Sequence, residues 1–293
     1  MTLLDGKQTA QFIKDEIRTE LELISLKGFR KPHLVAILVG NDGASRTYVD
    51  SKERNSIALG FNSTVLRLPE LTSQDELIAI VKKYNIDTEI DGIIVQSPLP
   101  KHIEEKTITQ TINPNKDVDG FHDINMGKLA KGDEGFVSAT PLGITMMLKA
   151  YNIETSGKHC VVVGRSNIVG RPMSLLMSAN TKFGNCTVTL CHSKTVDIAS
   201  FTKQADILIV ALGKPGFINA DMVKQGAIVI DVGITRIDDL NRKSGFYLKG
   251  DVDFDSVKNV ASYLTPVPGG VGLMTIAALL SNTFKSYKLH LGI

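Results

Sequence analysis

The first part of the chain alternates between helix and strand patterns. Residues 8 to 26 carry apolar side chains at helical spacing, which predicts an amphipathic helix. The apolar run HLVAILVG, closed by Gly40, is typical of a buried strand, and STVLRL and DGIIVQSPLP follow as further strands. Between STVLRL and DGIIVQSPLP, the segment SQDELIAIVKKY has Ser73 and Glu76 at capping-box spacing, which predicts a helix. This alternation favours a parallel sheet with crossover helices.

Residues 108 to 141 interrupt the alternation. They are rich in Asn, Asp, Gly and Pro and have little periodicity, so we expect an irregular stretch that is either a linker or functional. From residue 157 the apolar runs resume as KHCVVVG, CTVTLC, ADILIVALG and GAIVIDVG, in the outline of a nucleotide-binding parallel sheet. The chain then continues through TPVPGGVG into an apolar helix.

The pattern predicts an α/β fold with two α/β domains flanking a cleft. The first domain is expected to comprise residues 1–140 with a returning C-terminal helix, residues 273–293. The second, residues 141–272, is expected to be a Rossmann-like doubly wound parallel sheet.

Composition narrows the classes of function. The chain has 293 residues, of which 43% are hydrophobic and 22% charged, as is usual for a globular protein. The net charge is only +2 and the basic residues are scattered, so we expect no nucleic-acid partner and no anionic membrane surface. The apolar runs are shorter than the roughly 20 residues of a membrane span, and the N-terminus lacks signal or transit character. The expected location is the cytoplasm.

The three cysteines agree with a reducing compartment, because their number is odd and they show no disulfide pattern. Cys186 and Cys191, next to His192, could suggest a metal site. Five residues apart on a strand, however, two side chains point to opposite faces. We therefore expect core thiols and no metal.

The stretch GASRTYVDSKERN places Tyr48 and Lys52 four residues apart on one helix face. A lysine at this spacing usually pairs with Glu at the surface, whereas a phenol one turn from an amine handles protons in several enzyme classes. Taken singly, Tyr48 is more often a packing residue and Lys52 a solvated charge. A short-chain dehydrogenase is one alternative, because the pair reproduces its Tyr-x-x-x-Lys motif. In that class, however, the nucleotide loop precedes the pair, whereas here it follows.

The segment VVVGRSNIVGRPMSLLM has the form of a strand, a tight turn at Gly164 and a helix with Pro172 near its first turn. The glycines do not have the G-x-G-x-x-G spacing, since Ser166 occupies the position where a small residue lets the backbone approach a pyrophosphate. An ordinary strand-to-helix turn is the alternative for this motif alone. The alternation of strands around the motif favours a turn that binds a dinucleotide.

The second strand of this region ends in TLCHSKT, without the acid that holds the ribose hydroxyls of NAD. Arg165 lies in the loop, where it could meet a ribose phosphate. Both features favour NADP, although Arg165 and Lys194 could simply be solvated.

Eight motifs occur together along the chain: SRTYVDSK, DGIIVQSPLP, KDVDGFH, TPLG, VVVGRSNIVGRP, ILIVALGKPGFI, IVIDVGI and TPVPGGVGLMT. In this combination the chain resembles the bifunctional methylenetetrahydrofolate dehydrogenase–methenyltetrahydrofolate cyclohydrolase family from LLDGK to the last helix. The resemblance implies NADP-dependent oxidation of 5,10-methylenetetrahydrofolate, then hydrolysis of the methenyl product to 10-formyltetrahydrofolate. It also implies that the first domain binds folate, that the second binds NADP, and that the protein is a homodimer.

The resemblance assigns roles to single residues. Lys52 is implied to be the acid–base residue, Tyr48 to stack along the folate, Gln96 to contact the lysine and Asp119 to anchor the pterin. A lysine needs a lowered pKa to act at neutral pH, which a cationic substrate beside it would provide. The expected substrate-binding residues are Tyr48, Lys52, Val95, Gln96, Ser97, Asp119, Pro268, Gly269, Gly270, Val271 and Gly272. The expected cofactor-binding residues are Gly164, Arg165, Ser166, Ile168, His192, Ser193, Gly213 and Ile234.

Three positions depart from the family pattern. Ser97 stands where Leu is usual, Ser138-Ala139 where Pro-Cys is usual, and Leu273 where Pro is usual. The first and last would lie beside the folate pocket and change its shape. Two alternatives remain: a non-catalytic NADP-binding sensor, which would be expected to lack Lys52 or Asp119, and a monofunctional dehydrogenase.

Overall fold

A computed structural model describes residues 1–239, 242 and 245–293. The strands of the described chain are β1 Thr2–Leu3, β2 His33–Val39, β3 Asn62–Leu68, β4 Gly92–Val95, β5 His159–Val163, β6 Thr187–Cys191, β7 Ile207–Val210, β8 Ile228–Asp231, β9 Thr235–Asp238, β10 Phe246–Lys249 and β11 Tyr263–Leu264. The helices are α1 Gly6–Leu26, α2 Gly43–Leu59, α3 Gln74–Ile86, α4 Glu105–Thr111, α5 Asp123–Lys131, α6 Ala139–Ala150, α7 Gly170–Ser178, α8 Ile198–Thr202, α9 Phe254–Val257 and α10 Val271–Leu291, with a 3₁₀ turn at Ala220–Met222.

The chain divides into two compact units. The three-stranded unit comprises Gln11–Ala139 and Ile276–Ile293, and the six-stranded unit comprises Met1–Ala10 and Thr140–Thr275. Within the described residues, no helix is long and apolar enough to cross a membrane.

The three-stranded unit is a parallel sheet in the order β3-β2-β4. The central strand β2 is buried along nearly its whole length, which explains its uninterrupted apolar sequence. One face packs against α3, where Val35 and Ile37 belong to the same core cluster as Leu77 and Val81. The predicted strands and helices of this region are confirmed, including the capping box between Ser73 and Glu76.

Helix α2, which carries Tyr48 and Lys52, is closed at both ends by local interactions. The Asp42 carboxylate accepts the Ser45 N–H at 2.7 Å, and Gly60 ends the helix with a φ of 93°. The helix predicted around the pair is therefore confirmed.

The expectation of an irregular stretch over residues 108–141 is wrong in part, because α4 ends and α5 lies within it. Helix α5 begins after His122, whose Nδ1 accepts the Ile124 N–H, and ends at Gly132 with a φ of 77°. Only one of its nine residues is buried, and it is the polar Asn125, so this helix does not bury an apolar stripe. The loop around Asp117–Gly120 does remain irregular.

The six-stranded unit is a parallel sheet in the order β1-β11-β8-β7-β5-β6. From β5 the chain continues to β6 on one side and then returns to β7 on the other, which makes a doubly wound sheet with its switch point between β5 and β7. Strands β5 and β7 are almost entirely buried. The predicted Rossmann-like sheet is confirmed.

The first ten residues were expected in the other domain, but they belong to the six-stranded unit. Strand β1 pairs with β11, and the Gly6 N–H donates to the Gly269 carbonyl at 2.9 Å. A Cβ on Gly6 would lie 2.0 Å from the Gly270 oxygen, so only glycine permits this contact. A two-residue strand is too short for its pairing partner to be read from the sequence.

Candidate active site

Lys52 is a buried lysine that is held by one side chain. It projects from α2, has 9% of its surface exposed, and its Nζ donates to Gln96 Oε1 at 3.1 Å. Gln96 directly follows β4, where its backbone N–H donates to the Ile37 carbonyl and its Nε2 donates to the Ser97 carbonyl at 2.7 Å. The amide is thus fixed with its oxygen toward the lysine, in the contact that the resemblance implies.

Tyr48 lies one turn before Lys52, but in a different environment. It is 44% exposed, whereas Lys52 belongs to the buried face of the helix with Val49 and Ser56. The Ser56 hydroxyl donates to the Lys52 carbonyl at 2.9 Å. An exposed aromatic ring beside a buried amine leaves a surface on which a flat ligand can stack.

The two acids of KDVDGFH have different roles in the structure. Asp117 is 1% exposed and accepts the Phe121 N–H, the His122 N–H and the Asn125 side-chain amide at 2.8 to 3.1 Å. Burial raises the pKa of Asp117, against these hydrogen bonds. Asp119 is partly exposed, and its carboxylate accepts no hydrogen bond from the described residues. Asp117 therefore shapes the loop, while Asp119 is free to receive donors from a ligand.

Two polar residues of α10 fasten this loop, and the sequence analysis missed both. Asn282 donates to the carbonyls of Val118 and Val137 at 2.8 and 2.9 Å, and Ser286 donates to the carbonyl of Asn115 at 2.8 Å. Both are buried. A polar side chain within an otherwise apolar helix was the available signal, because buried polar groups need partners.

A pocket beside β4 brings the loop and the strand exit together. Ser97, Glu105, Asp117 and Asp119 are among its lining residues. The Ser97 hydroxyl donates to the Glu105 carboxylate at 2.5 Å. Because Ser97 follows Gln96, the structure places the Lys52 contact and Asp119 at the same carboxyl edge of the three-stranded sheet.

The turn after β5 and the first position of α7 each hold a glycine that no other residue could replace without movement. Gly164 has a φ of 123°, and a Cβ there would lie 2.1 Å from the Ala211 oxygen. A Cβ on Gly170 would lie 1.9 Å from the Gly164 oxygen. The Ser166 hydroxyl accepts the Val169 N–H at 3.2 Å. This cradle of backbone is the kind that receives a pyrophosphate.

The other candidate cofactor residues lie along the same carboxyl edge. Arg165, Ser166 and Ile168 are exposed in the turn after β5. After β6, the His192 N–H donates to Thr195 Oγ1 and Ser193 is exposed, with no carboxylate between residues 191 and 195. A cation in the turn and no acid at this strand end fit a dinucleotide that carries a ribose phosphate.

Gly213, after β7, has a φ of 68° and is exposed. Ile234, after β8, is 38% exposed, and a Cβ on Gly272 would lie 2.9 Å from its Cδ1. The predicted turn Pro268–Gly272 thus belongs to the six-stranded unit, with α10 already starting at Val271. Leu273 lies in the first turn of this helix and is 37% exposed.

The doubly wound sheet and its glycine turn define an α/β protein of the dinucleotide-binding class. Two family models match the chain. The description "Tetrahydrofolate dehydrogenase/cyclohydrolase, catalytic domain" covers residues 4–119, and "Tetrahydrofolate dehydrogenase/cyclohydrolase, NAD(P)-binding domain" covers residues 138–291. The chain belongs to the tetrahydrofolate dehydrogenase/cyclohydrolase family, as the motifs predicted.

Similar proteins cover the chain from end to end. The bifunctional protein FolD of Flavobacterium johnsoniae is 56% identical over 290 residues, with 99% of this chain and 98% of that protein covered. A crystal structure of the bifunctional FolD of Campylobacter jejuni is 48% identical, with 99% of each chain covered and a TM-score of 0.92. A Trypanosoma brucei FolD structure, complexed with NADP cofactor and inhibitor, is 35% identical, covers 100% of this chain and 99% of that chain, and has a TM-score of 0.94. The short-chain dehydrogenase alternative is excluded.

Proposed function

We propose that the chain oxidises 5,10-methylenetetrahydrofolate with NADP and hydrolyses the resulting methenyl cation to 10-formyltetrahydrofolate, with Lys52 as the acid–base residue. Membership in the family gives the two activities. The observation that supports the role of Lys52 is its burial beside Gln96, with a Nζ–Oε1 distance of 3.1 Å. Lys52 and Asp119 are both present, whereas a non-catalytic sensor would be expected to lack one of them.

The turn after β5 would hold NADP, which when bound supplies the hydride acceptor for the oxidation. The backbone at Gly164 and Ser166 offers the close approach that a pyrophosphate needs. Arg165 is the candidate partner of the ribose phosphate, because a guanidinium binds phosphate oxygens in a fork. For hydride transfer these residues need only position the cofactor, because the step requires no proton transfer from them.

Hydrolysis requires a proton to be moved. A water oxygen adds to the methenyl carbon, and the Lys52 amine takes the proton that the water loses. The bond from this carbon to the N5 nitrogen then breaks as the new hydroxyl loses its proton and becomes the formyl oxygen. One proton returns to N5 and the other leaves to solvent, so that the formyl group remains on N10. A cationic substrate favours the neutral form of a neighbouring amine. Gln96 does not titrate, so it orients the lysine.

Folate recognition is proposed for the residues around this lysine. The Asp119 carboxylate would accept two N–H groups of the pterin, since a carboxylate accepts two donors at once. The exposed ring of Tyr48 would stack along the ligand. Val95 and Ser97 would line the same edge.

We propose two further properties, the oligomeric state and the location. The resemblance supports a homodimer, which light scattering of the purified protein would test. Three free, buried cysteines within the described residues fit a cytoplasmic location, because thiols persist in a reducing compartment.

A spectrophotometric assay with methylenetetrahydrofolate, comparing NADP with NAD, tests the proposal. Reduced NADP should appear without build-up of the methenyl compound. Accumulation of the methenyl compound would leave a monofunctional dehydrogenase. If neither NADP nor NAD were reduced, the result would instead favour the non-catalytic NADP-binding sensor.

A further inference from the structure

A pair of acids lies beneath the carboxyl edge of the six-stranded sheet, apart from the residues proposed to touch substrate or cofactor. Asp231 is the last residue of β8, and Asp251 follows β10. They are 3% and 0% exposed. In the described part of the chain neither forms an ion pair, and their carboxylates accept backbone N–H groups instead.

Asp251 binds three consecutive backbone amides. Its Oδ2 accepts the N–H groups of Leu212 and Gly213 at 2.6 and 2.8 Å, and its Oδ1 accepts the N–H of Lys214 at 2.6 Å. Hydrogen bonds to a carboxylate are shorter and stronger than neutral ones. The shape of the turn Leu212–Lys214 is therefore set by one distant side chain.

Asp251 is itself held without room to move. Asp231 accepts the N–H groups of Asp251 and Val252 at 3.0 and 2.9 Å. A Cβ on Gly233 would lie 2.3 Å from Asp251 Cγ, and a Cβ on Gly250 would lie 1.9 Å from Asp231 Oδ2. Burial, with the Asp251 charge adding to it, raises the pKa of Asp231 to about 7. Burying two neighbouring carboxylates costs folding free energy. Their presence therefore indicates that they hold the backbone in a required position rather than stabilise the fold.

The turn that Asp251 holds lies at the switch point of the sheet. It follows Ala211, directly after β7, and the Ala211 oxygen is the atom that excludes a Cβ from Gly164. Strands β7 and β5 are neighbours in the sheet. Dinucleotides bind outside the carboxyl ends of the strands at such a point. The turn thus stands beside the proposed pyrophosphate cradle.

We propose that Asp251 is a positioning residue for NADP, which fixes the turn Leu212–Lys214, and with it Gly213, in the conformation that the cofactor requires. Asp251 does not touch the cofactor and acts only through this turn. The inference rests on the proposed NADP-dependent function and adds a residue that the motifs did not indicate.

The test is Asp251→Asn in the full chain. An amide has one accepting oxygen, so its NH₂ group must face either the Lys214 N–H or the N–H groups of Leu212 and Gly213. We expect the Kd for NADP, measured by isothermal titration calorimetry, to rise about tenfold. The KM for NADP should rise with it, while kcat at saturating NADP changes little. Hydrolysis of methenyltetrahydrofolate needs no NADP and should keep its rate.

Asp206→Asn is the matched control. Asp206 also accepts a backbone N–H, from His159 at 2.9 Å, but at the opposite edge of the sheet, where it also binds Lys224 at 2.6 Å. This change should lower the melting temperature without changing the Kd for NADP. An equal loss of NADP binding in both variants would assign Asp251 a merely structural role and overturn the inference.

If Asp251→Asn does not fold, as loss of the hydrolase rate would reveal, Gly213→Ala replaces it. A Cβ on Gly213 meets no atom within 4 Å, so its φ of 68° strains only the turn. We expect a severalfold rise in the Kd for NADP. An unchanged Kd in the folded Asp251→Asn protein, or in Gly213→Ala, overturns the inference. Failure of the unaltered chain to reduce NADP would instead refute the proposed function.

Discussion

Replacement of Lys52 by Met separates the chemistry of this residue from its contribution to the fold. Methionine keeps the length and apolar stem of lysine but cannot carry a proton. Within the described residues, the lysine Nζ makes one hydrogen bond, to Gln96 Oε1 at 3.1 Å. Loss of one such bond costs about 0.5–1.5 kcal/mol, and removal of a charge from a site that is 9% exposed works in the opposite direction. The free energy of unfolding should therefore change by no more than about 1 kcal/mol.

The catalytic effect should be much larger. A positioned acid–base group contributes roughly 10²–10⁴ in rate, which corresponds to about 2.7–5.4 kcal/mol in the activation barrier. Hydrolysis of methenyltetrahydrofolate, followed by the loss of its absorbance, should fall by that factor in Lys52→Met. Urea unfolding of the same preparation would show that the protein remains folded.

Two further variants sharpen this test. Lys52→Arg keeps the positive charge but does not release a proton, so it should not restore hydrolysis. Lys116→Met removes another buried lysine of the same unit, whose Nζ donates to the carbonyls of Tyr84 and Asp87 at 3.0 and 2.5 Å. It should destabilise the fold and leave the hydrolase rate of the folded protein unchanged. Full hydrolase activity in Lys52→Met, or its rescue by arginine, would refute the acid–base role.

Three other changes test the binding residues and the fold. Asp119→Ala should weaken folate binding by about 10- to 150-fold, because hydrogen bonds to a charged group contribute about 1.5–3 kcal/mol. The Kd for NADP should stay unchanged, and an equal loss of NADP binding would contradict the role proposed for Asp119. Arg165→Ala should reduce the preference for NADP over NAD about tenfold in kcat/KM, and an unchanged ratio would leave the ribose phosphate without its proposed partner. Burial of Asp91 opposes its charge, but hydrogen bonds from Arg30, at 2.7 Å, and from His290 outweigh burial and lower its pKa. A lowered pKa stabilises the fold above about pH 4, where the unfolded carboxyl ionises, and this contribution is lost as the pH falls further. Asp91→Asn should cost about 3 kcal/mol at pH 7 in urea unfolding and flatten the acid limb of the stability curve, so parallel curves would contradict the assignment.

Most of the secondary structure, and membership in the family, can be predicted from the amino-acid sequence. Strands such as β2 and β5 are buried on both faces of parallel sheets, so each appears as an unbroken apolar run. The glycines at 164 and 170 are also readable, because no other residue avoids the backbone contacts that the turn imposes. Local chemistry of this kind is written in a few adjacent residues, and the capping box at Ser73 is a further example.

The hydrogen-bond partners of the polar residues, in contrast, are seen only in the folded chain. Asp117 and Asp119 are both acids in one short loop. The carboxylate of Asp117 accepts hydrogen bonds from neighbouring residues, whereas that of Asp119 accepts none from the described residues. Asn282 is more than half of the chain away from the loop that it fastens. The pairing of β1 with β11 and the support of Gly213 by Asp251 likewise join distant segments. Hydrogen bonds between such segments leave no periodic trace in the sequence, because they depend on burial and on the direction of donors, which only the folded chain fixes.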